Sequence, residues 1–186
     1  MRLSDKKNIN AILFFALKSA QKKINRLKLM KLLWLADRIH LNKYGRLILK
    51  DTYCALPNGP VPSESLNFSK CDQPGIFSVV KYTIHAEAEC DSSFFSKSDI
   101  EVLEQVWTLY GKKNQFELRD ISHQFPEWKR FEDDLKNPHS LNSYNIIIDD
   151  FFEIPENNKY PYNKEETQKS RAAFHIHSRI QSYFST

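Results

Sequence analysis

His175 and His177 form an H-x-H pair near the end of the chain. On a helix, residues i and i+2 point about 200° apart. Helical metal pairs need i, i+3 or i, i+4 spacing, so this pair predicts no metal site. Asp133-Asp134 and Asp149-Asp150 lack the turn and glycine of a calcium loop and predict solvated surface. The cysteines are Cys54, Cys71 and Cys90, spaced by 17 and 19 residues. That odd set fits neither a disulfide framework nor a paired-cysteine zinc site. Cys54 with a distant histidine could form a catalytic dyad, but a cysteine in an apolar strand is usually an inert core residue. The sequence contains no nucleophile elbow, phosphate loop, dinucleotide fingerprint or zinc-protease helix motif. These residue types therefore predict a protein-binding role rather than catalysis, with no cofactor and no metal.

The elements that carry these residues can be read from hydrophobic period. A chain of 186 residues is long enough for one domain with its own core. Ile9, Ile12, Leu13, Ala16, Leu17 and Ala20 recur at helical spacing and predict a first helix over 8–21. A second helix is predicted over 25–42, where Leu29, Leu32, Leu33, Ala36 and Ile39 form a stripe that Met30, Trp34, Leu35 and Leu41 widen. So broad an apolar face places this helix at the centre of the core. Gly45 fits a left-handed cap at its end. Asp51 to Leu56 reads as extended, Asn58-Gly59-Pro60 as a turn, Ser63 to Ser65 as the start of a short helix, and Phe77 to Ala88 as strand. Ser98 with Glu101 reads as the capping box of a helix reaching Tyr110. Further helices are predicted over 115–124 and 126–135, and a last one over 165–184, with Ala172, Ala173, Ile176, Ile180 and Phe184 on one side. Residues 144–152 are ambiguous between helix and strand.

Charge is divided unevenly. Residues 1–50 hold thirteen Lys/Arg against two acids, a net of +11, while residues 51–186 hold fourteen against twenty-one, a net of −7. The asymmetry predicts either an acidic partner for the first fifty residues or pairing between the two halves. No run approaches the roughly 18 apolar residues of a membrane span. The charged start and free thiols predict a cytoplasmic protein that does not engage a membrane.

Two blocks carry a family resemblance. The first runs from Leu29-Met-Lys-Leu-Leu-Trp-Leu-Ala-Asp-Arg38 through Tyr44-Gly45-Arg46 and Asp51-Thr-Tyr-Cys-Ala55 to Asn58-Gly-Pro-Val-Pro62. The second runs from Phe95-Ser-Lys-Ser-Asp-Ile100 through Tyr110-Gly111 and Glu117-Leu118 to Ser122-His-Gln-Phe-Pro-Glu-Trp128. In order and spacing they resemble the Panacea domain of SocA-like antitoxins, over roughly residues 8–152. The motif positions are Lys31, Leu32, Leu33, Asp37, Tyr44, Gly45, Asp51, Tyr53, Gly59, Pro60, Val61, Pro62, His123 and Trp128. Trp34 stands where a tyrosine is more usual, and Glu156 to Thr186 has no counterpart. The resemblance implies an α+β fold, a mainly helical single domain with a small antiparallel β-sheet. Residues 1–155 would form that domain, with 156–186 a linker and a helix packed on it. It further implies an antitoxin that neutralises a cognate protein toxin by direct binding.

Physically, the motif residues read as fold determinants. Asp37 in an apolar helix needs partners, because an isolated buried charge is very costly. Arg46, the Ser63 hydroxyl and N–H groups of the 58–62 turn are the candidates. His123 and Trp128 would brace two short helices, the indole seeking a hydrogen bond. Contacts to a partner are expected from Tyr44 and Arg46, from Tyr160 and Tyr162, and more weakly from Trp34 and Arg38. Nucleic-acid binding through the basic half, a protease adaptor role and an enzyme of unrecognised type remain as alternatives.

Overall fold

The computed structural model of the protein describes residues 2–155 and 163–184, with side chains as far as residue 180. Tyr160, Tyr162 and the side chain of Phe184 lie outside the described residues. Helix α1 spans Leu3–Lys18. It begins five residues before the predicted start because the Asp5 carboxylate accepts the Arg2 N–H at 3.0 Å and caps the first turn. Strand β1 is Lys23–Asn25, and helix α2 is Arg26–Tyr44. The Asn25 side chain accepts the N–H groups of Leu27 and Lys28 at 2.9 and 3.3 Å and so starts α2. Gly45, at φ +68°, closes it with its N–H on Leu41 O. Every residue of α2 from Leu29 to Asn42 is buried. The helix is enclosed on all sides by α1, later helices and a strand edge, so it has no polar outer face.

The strands form two small antiparallel sheets rather than one. β4 (Phe77–Val80) and β5 (Thr83–Ala86) make a hairpin whose second strand pairs with β1, with Ile24 opposite Ile84 and Ile84 opposite Val79. The other sheet runs β3-β2-β6, from β2 (Tyr53–Leu56), β3 (Gly59–Pro62) and β6 (Tyr144–Asn145). The β2–β3 turn falls on Pro57-Asn58, one residue earlier than the sequence suggests. β3 lies at the sheet edge, which is where a strand tolerates two prolines without losing ladder bonds.

Helix α3 (Ser63–Phe68) follows, its start held by the buried Asp51 carboxylate, which accepts the N–H groups of Glu64 and Ser65 at 2.9 Å each. α4 spans Lys97–Tyr110. Its capping box is Ser96 with Asp99, two residues before the predicted Ser98 and Glu101. α5 is Gln115–Ser122. The single helix predicted over 126–135 is two, α6 (Pro126–Lys129) and α7 (Glu132–Lys136). They break at Phe131, which leaves helical geometry at φ −114°, ψ 9° and stacks on Tyr144 with ring centroids 5.0 Å apart. The ambiguous 144–152 segment is β6 followed by a 3-10 turn over Ile148–Phe152.

Helix α8 (Lys164–Phe184) docks through a different face from the one its apolar residues suggest. Thr167 and Ser170 are buried, whereas Ile176 and Ile180 are 60% and 49% exposed. Gly45 is the reason: a Cβ there would lie 2.9 Å from Ser170 O, so the glycine lets the α8 backbone come down on the end of α2. Phe174 packs on Phe152, and Arg171 pairs with Asp149 and with Glu153. No helix among the described residues is long and apolar enough to cross a membrane.

Candidate functional site

Lys31, Asp37 and the Trp34–Arg38 pair on α2 reach three different polar centres. Asp37 is fully buried. It accepts the Ile48 N–H at 2.6 Å, the Leu49 N–H at 3.0 Å and the Tyr53 hydroxyl at 2.6 Å. These differ from the expected partners, because Arg46 turns toward α4 and the 58–62 turn packs further up the helix, at Lys31. Asp37 thus ties the segment after α2, and the first residue of β2, back onto α2. Burial pushes its carboxyl up to about 6, against the pull of those three donors. Because the folded carboxyl takes its proton at higher pH than the unfolded one, this group adds stability as pH falls from about 6 toward 4, and loses it as pH rises. Asp37→Asn should cost about 1–3 kcal/mol near pH 7, where an amide meets donors it cannot accept as well. The loss should grow in urea unfolding near pH 4.5. A loss independent of pH would contradict this account.

The second centre joins α2, β3 and the end of α5. The Lys31 ammonium, fully buried, donates to Pro60 O at 2.8 Å, and burial holds its pKa well below the ordinary lysine value. Ser122 Oγ donates to Arg119 O at 2.7 Å. A Cβ on Gly59, at φ +95°, would lie 2.3 Å from that Oγ and 2.8 Å from Lys31 Nζ. His123 stacks on Trp128 at 3.6 Å with the rings 7° from parallel. Burial, with Lys31 and Arg119 nearby, pushes the imidazole down to about 4. The Trp128 indole, buried, donates to Leu56 O at 2.9 Å, which satisfies its N–H away from water. His123 and Trp128 therefore brace α5 and α6 against the β2–β3 hairpin.

The third centre overturns two expected contact residues. Trp34 and Arg38 are fully buried and cannot anchor a partner from the surface. Arg38 Nε donates to Glu127 Oε1 at 2.8 Å, the Trp34 indole donates to the same oxygen at 3.1 Å, and a second guanidinium nitrogen donates to Glu153 O. Glu127, itself fully buried, is a partner that sequence reasoning missed. Its signal was present: a cation on a helix with so broad an apolar face calls for a carboxylate, as Asp37 calls for donors.

Tyr44 remains on the surface, 37% exposed, with its hydroxyl donating to Glu101 at 3.2 Å. Arg46 is half-buried and donates to Asp99 Oδ1 at 2.8 Å. Lys7 reaches the same carboxylate at 2.7 Å, and His40 Nε2 lies 3.1 Å from it. Burial alone would raise the Asp99 carboxyl, but hydrogen bonds from His40, Lys7 and the Ser96 N–H hold it well below the usual range. Leu32 and Leu33 are pure core, and Val61 and Pro62 complete the β3 edge.

The basic first fifty residues are largely answered from within. Arg2, Lys7, Lys18, Lys22, Arg38, Lys43 and Arg46 each pair with a carboxylate beyond residue 50. That pairing accounts for much of the charge asymmetry. Among the described residues no group of three or more His, Cys, Asp or Glu is placed to hold a metal ion. Cys54 Sγ accepts from the Ser63 hydroxyl at 3.3 Å, and burial pushes the Cys90 thiol up to about 11, away from a reactive thiolate.

Beside the braced hairpin lies an open groove of about 550 Å³. Met30, Leu56, Val61 and Leu66 line it, and Tyr82 and Phe116 stand at its rim, 71% and 54% exposed. Nothing in the sequence flagged this groove, because its lining comes from many elements spread between Asn25 and Phe116 and each residue reads locally as ordinary core or turn.

The family model described as "Antitoxin SocA-like, Panacea domain" matches residues 29–129. The chain belongs to this family. The matched Panacea segment starts in α2 and ends with α6, so it holds every motif residue and the three polar centres apart from the Glu153 carbonyl. It is narrower than the span of 8–152 that the motifs suggested. α1 and α8 lie outside it. Comparisons with curated proteins and with solved structures give no match.

Proposed function

We propose that this protein is the antitoxin of a toxin–antitoxin pair and neutralises a cognate protein toxin by direct, stoichiometric binding. Membership of the Panacea family carries the proposal. The burial of the motif supports it: Lys31, Asp37 and Trp128 are spent on internal bonds, and the surface beside them offers exposed aromatic side chains rather than reactive groups. Exposed Tyr, Trp and Arg are the residue types that dominate protein interfaces. Tyr44 is a second candidate contact on the far end of α2, and Tyr160 and Tyr162 remain candidates from the sequence alone.

The test is co-expression with the product of the adjacent reading frame. Expressed alone the chain should be harmless. Together with a toxic neighbour it should restore growth and co-purify with it. An interface of the usual size, about 1,200–2,000 Å² in total, would survive gel filtration. A neighbour that never co-purifies, with growth unaffected by either protein, would refute the antitoxin assignment.

A further inference from the structure

The groove beside the hairpin has a sign as well as a shape. Arg26, in the first turn of α2, is a lining residue. Its Nε donates to Ser69 O at 2.9 Å and a terminal nitrogen donates to Lys81 O at 3.3 Å. Its guanidinium also lies over the Tyr82 ring at 5.7 Å, while the Arg26 backbone N–H donates to Tyr82 O at 2.7 Å. Two carbonyls and a ring therefore fix the side chain, yet no carboxylate among the described residues pairs with it. A guanidinium has five N–H donors in a planar fork, so donors remain for a carboxylate approaching from the groove. The first turns of α2 and α5 both open on the groove through Arg26, Leu27, Gln115 and Phe116. No acidic residue is among the described lining residues.

The apolar part is equally specific. Tyr82 sits in the β4–β5 turn beside Lys81, which holds a left-handed φ of +57° that costs a non-glycine residue about 1–2 kcal/mol. Arg26 holds this turn at its carbonyls. Phe116 stands opposite, in the first turn of α5, with Arg119 over its ring at 5.4 Å. Single exposed apolar residues are ordinary. Two exposed aromatics flanking one apolar groove are the mark of an interaction surface.

We infer that this groove is the docking site for the toxin, and that its occupant is an apolar segment of that protein carrying a carboxylate that pairs with Arg26. The inference rests on the neutraliser assignment above. The segment's apolar side chains would cover Met30, Leu56, Val61 and Leu66, Tyr82 and Phe116 would close on its flanks, and the carboxylate would meet the fixed guanidinium. A bidentate pair at the edge of an apolar contact selects orientation and excludes basic segments.

The experiment measures Kd between the full chain and the purified product of the adjacent reading frame, for wild type and for Tyr82→Ala, Phe116→Ala, Arg26→Gln and Arg26→Glu. Ile176→Ala, on the exposed side of α8, is the control. Thermal melts verify that each variant is folded, and the two aromatic variants keep the test open if Arg26 proves necessary for the turn. Expected are losses of about tenfold or more for each aromatic truncation, as at interface hot spots. Arg26→Glu should lose more than Arg26→Gln, and Arg26→Gln should show a flatter salt dependence than wild type. Binding by wild type with unchanged Kd in the folded groove variants would overturn the groove while leaving the neutraliser assignment standing. No binding by wild type would overturn both. If the aromatic variants instead abolish self-association in sedimentation and spare binding of the neighbour, the groove is a contact between copies of this chain and the inference is wrong.

Discussion

Replacing Glu127 with alanine should destabilise the protein by about 3–5 kcal/mol, the usual range when one partner of a buried ion pair is removed. Three groups depend on this carboxylate. The Arg38 guanidinium, fully buried, loses its counter-ion at 2.8 Å, and the Trp34 indole loses its acceptor at 3.1 Å. Glu127 also lies in the first turn of α6 beside Trp128, so its bonds to Arg38 and Trp34 tie that short helix to α2. Arg38 keeps its bond to Glu153 O and its place over the Phe125 ring at 4.4 Å, which softens the loss without replacing the missing charge. Burial pushes the Glu127 carboxyl up, against the pull of Arg38, so the folded protein holds this pair at a desolvation cost. That cost has a consequence for the double variant. Arg38→Met with Glu127→Leu removes both charges together and should recover most of the stability, because apolar replacement of a buried pair is often close to neutral. Urea unfolding of the two single variants and the double one closes the cycle. Additive losses in the double variant would mean that the two side chains act independently, contrary to the geometry.

The same pair marks the limit of what the sequence discloses. Period and breadth of the apolar stripe placed α2 at the core, and Gly45 fixed its end, because both depend on local geometry alone. Capping boxes are local too, yet the α4 box is displaced by two residues: Ser96 and Ser98 both satisfy the pattern, and the choice falls to Asp99, which Lys7 and Arg46 hold from elements far away in sequence. Arg38 was misjudged for the same reason. On a helix drawn by itself it belongs to a basic face, and only the arrival of α6 converts that face into interior. The face of α8 failed through packing of backbone rather than side chain, since Gly45 admits Ser170 where an isoleucine would have been expected to dock. The groove is the extreme case. Its lining residues come from α2, β2, β3, α3, the β4–β5 turn and α5, and their common surface exists only once the two sheets flank the central helix.

Gly59→Ala should be the most damaging single-methyl addition in the hairpin. Two independent terms act. At φ +95° a residue with a Cβ adopts backbone geometry that only glycine holds cheaply, at about 1–3 kcal/mol. The new methyl would also stand 2.3 Å from Ser122 Oγ and 2.8 Å from Lys31 Nζ. Both are tips of side chains, and tips can usually swing away. Here both residues are fully buried, and each tip is tied to a carbonyl, Ser122 to Arg119 O and Lys31 to Pro60 O. Displacing either leaves a buried polar group without its bond, so overpacking adds about 1–3 kcal/mol. Together the terms come to roughly 2–6 kcal/mol, a large part of the 5–15 kcal/mol that a domain typically holds. Partial rescue separates them. Ser122→Ala removes the nearer clash and should return about 1 kcal/mol in the Gly59→Ala background, although by itself it costs stability through the lost bond to Arg119 O. The backbone term should not be recoverable by any substitution at Ser122 or Lys31. Equal stability of Gly59→Ala and wild type would require that β3 adjust its register, which the pairing of Leu56 with Gly59 and the bond from Ser63 N–H to Thr52 O oppose at both ends of the hairpin. Gly59 sits between Asn58 and Val61, both in the groove lining, so a displaced hairpin should weaken binding at the proposed docking groove even in protein that remains folded.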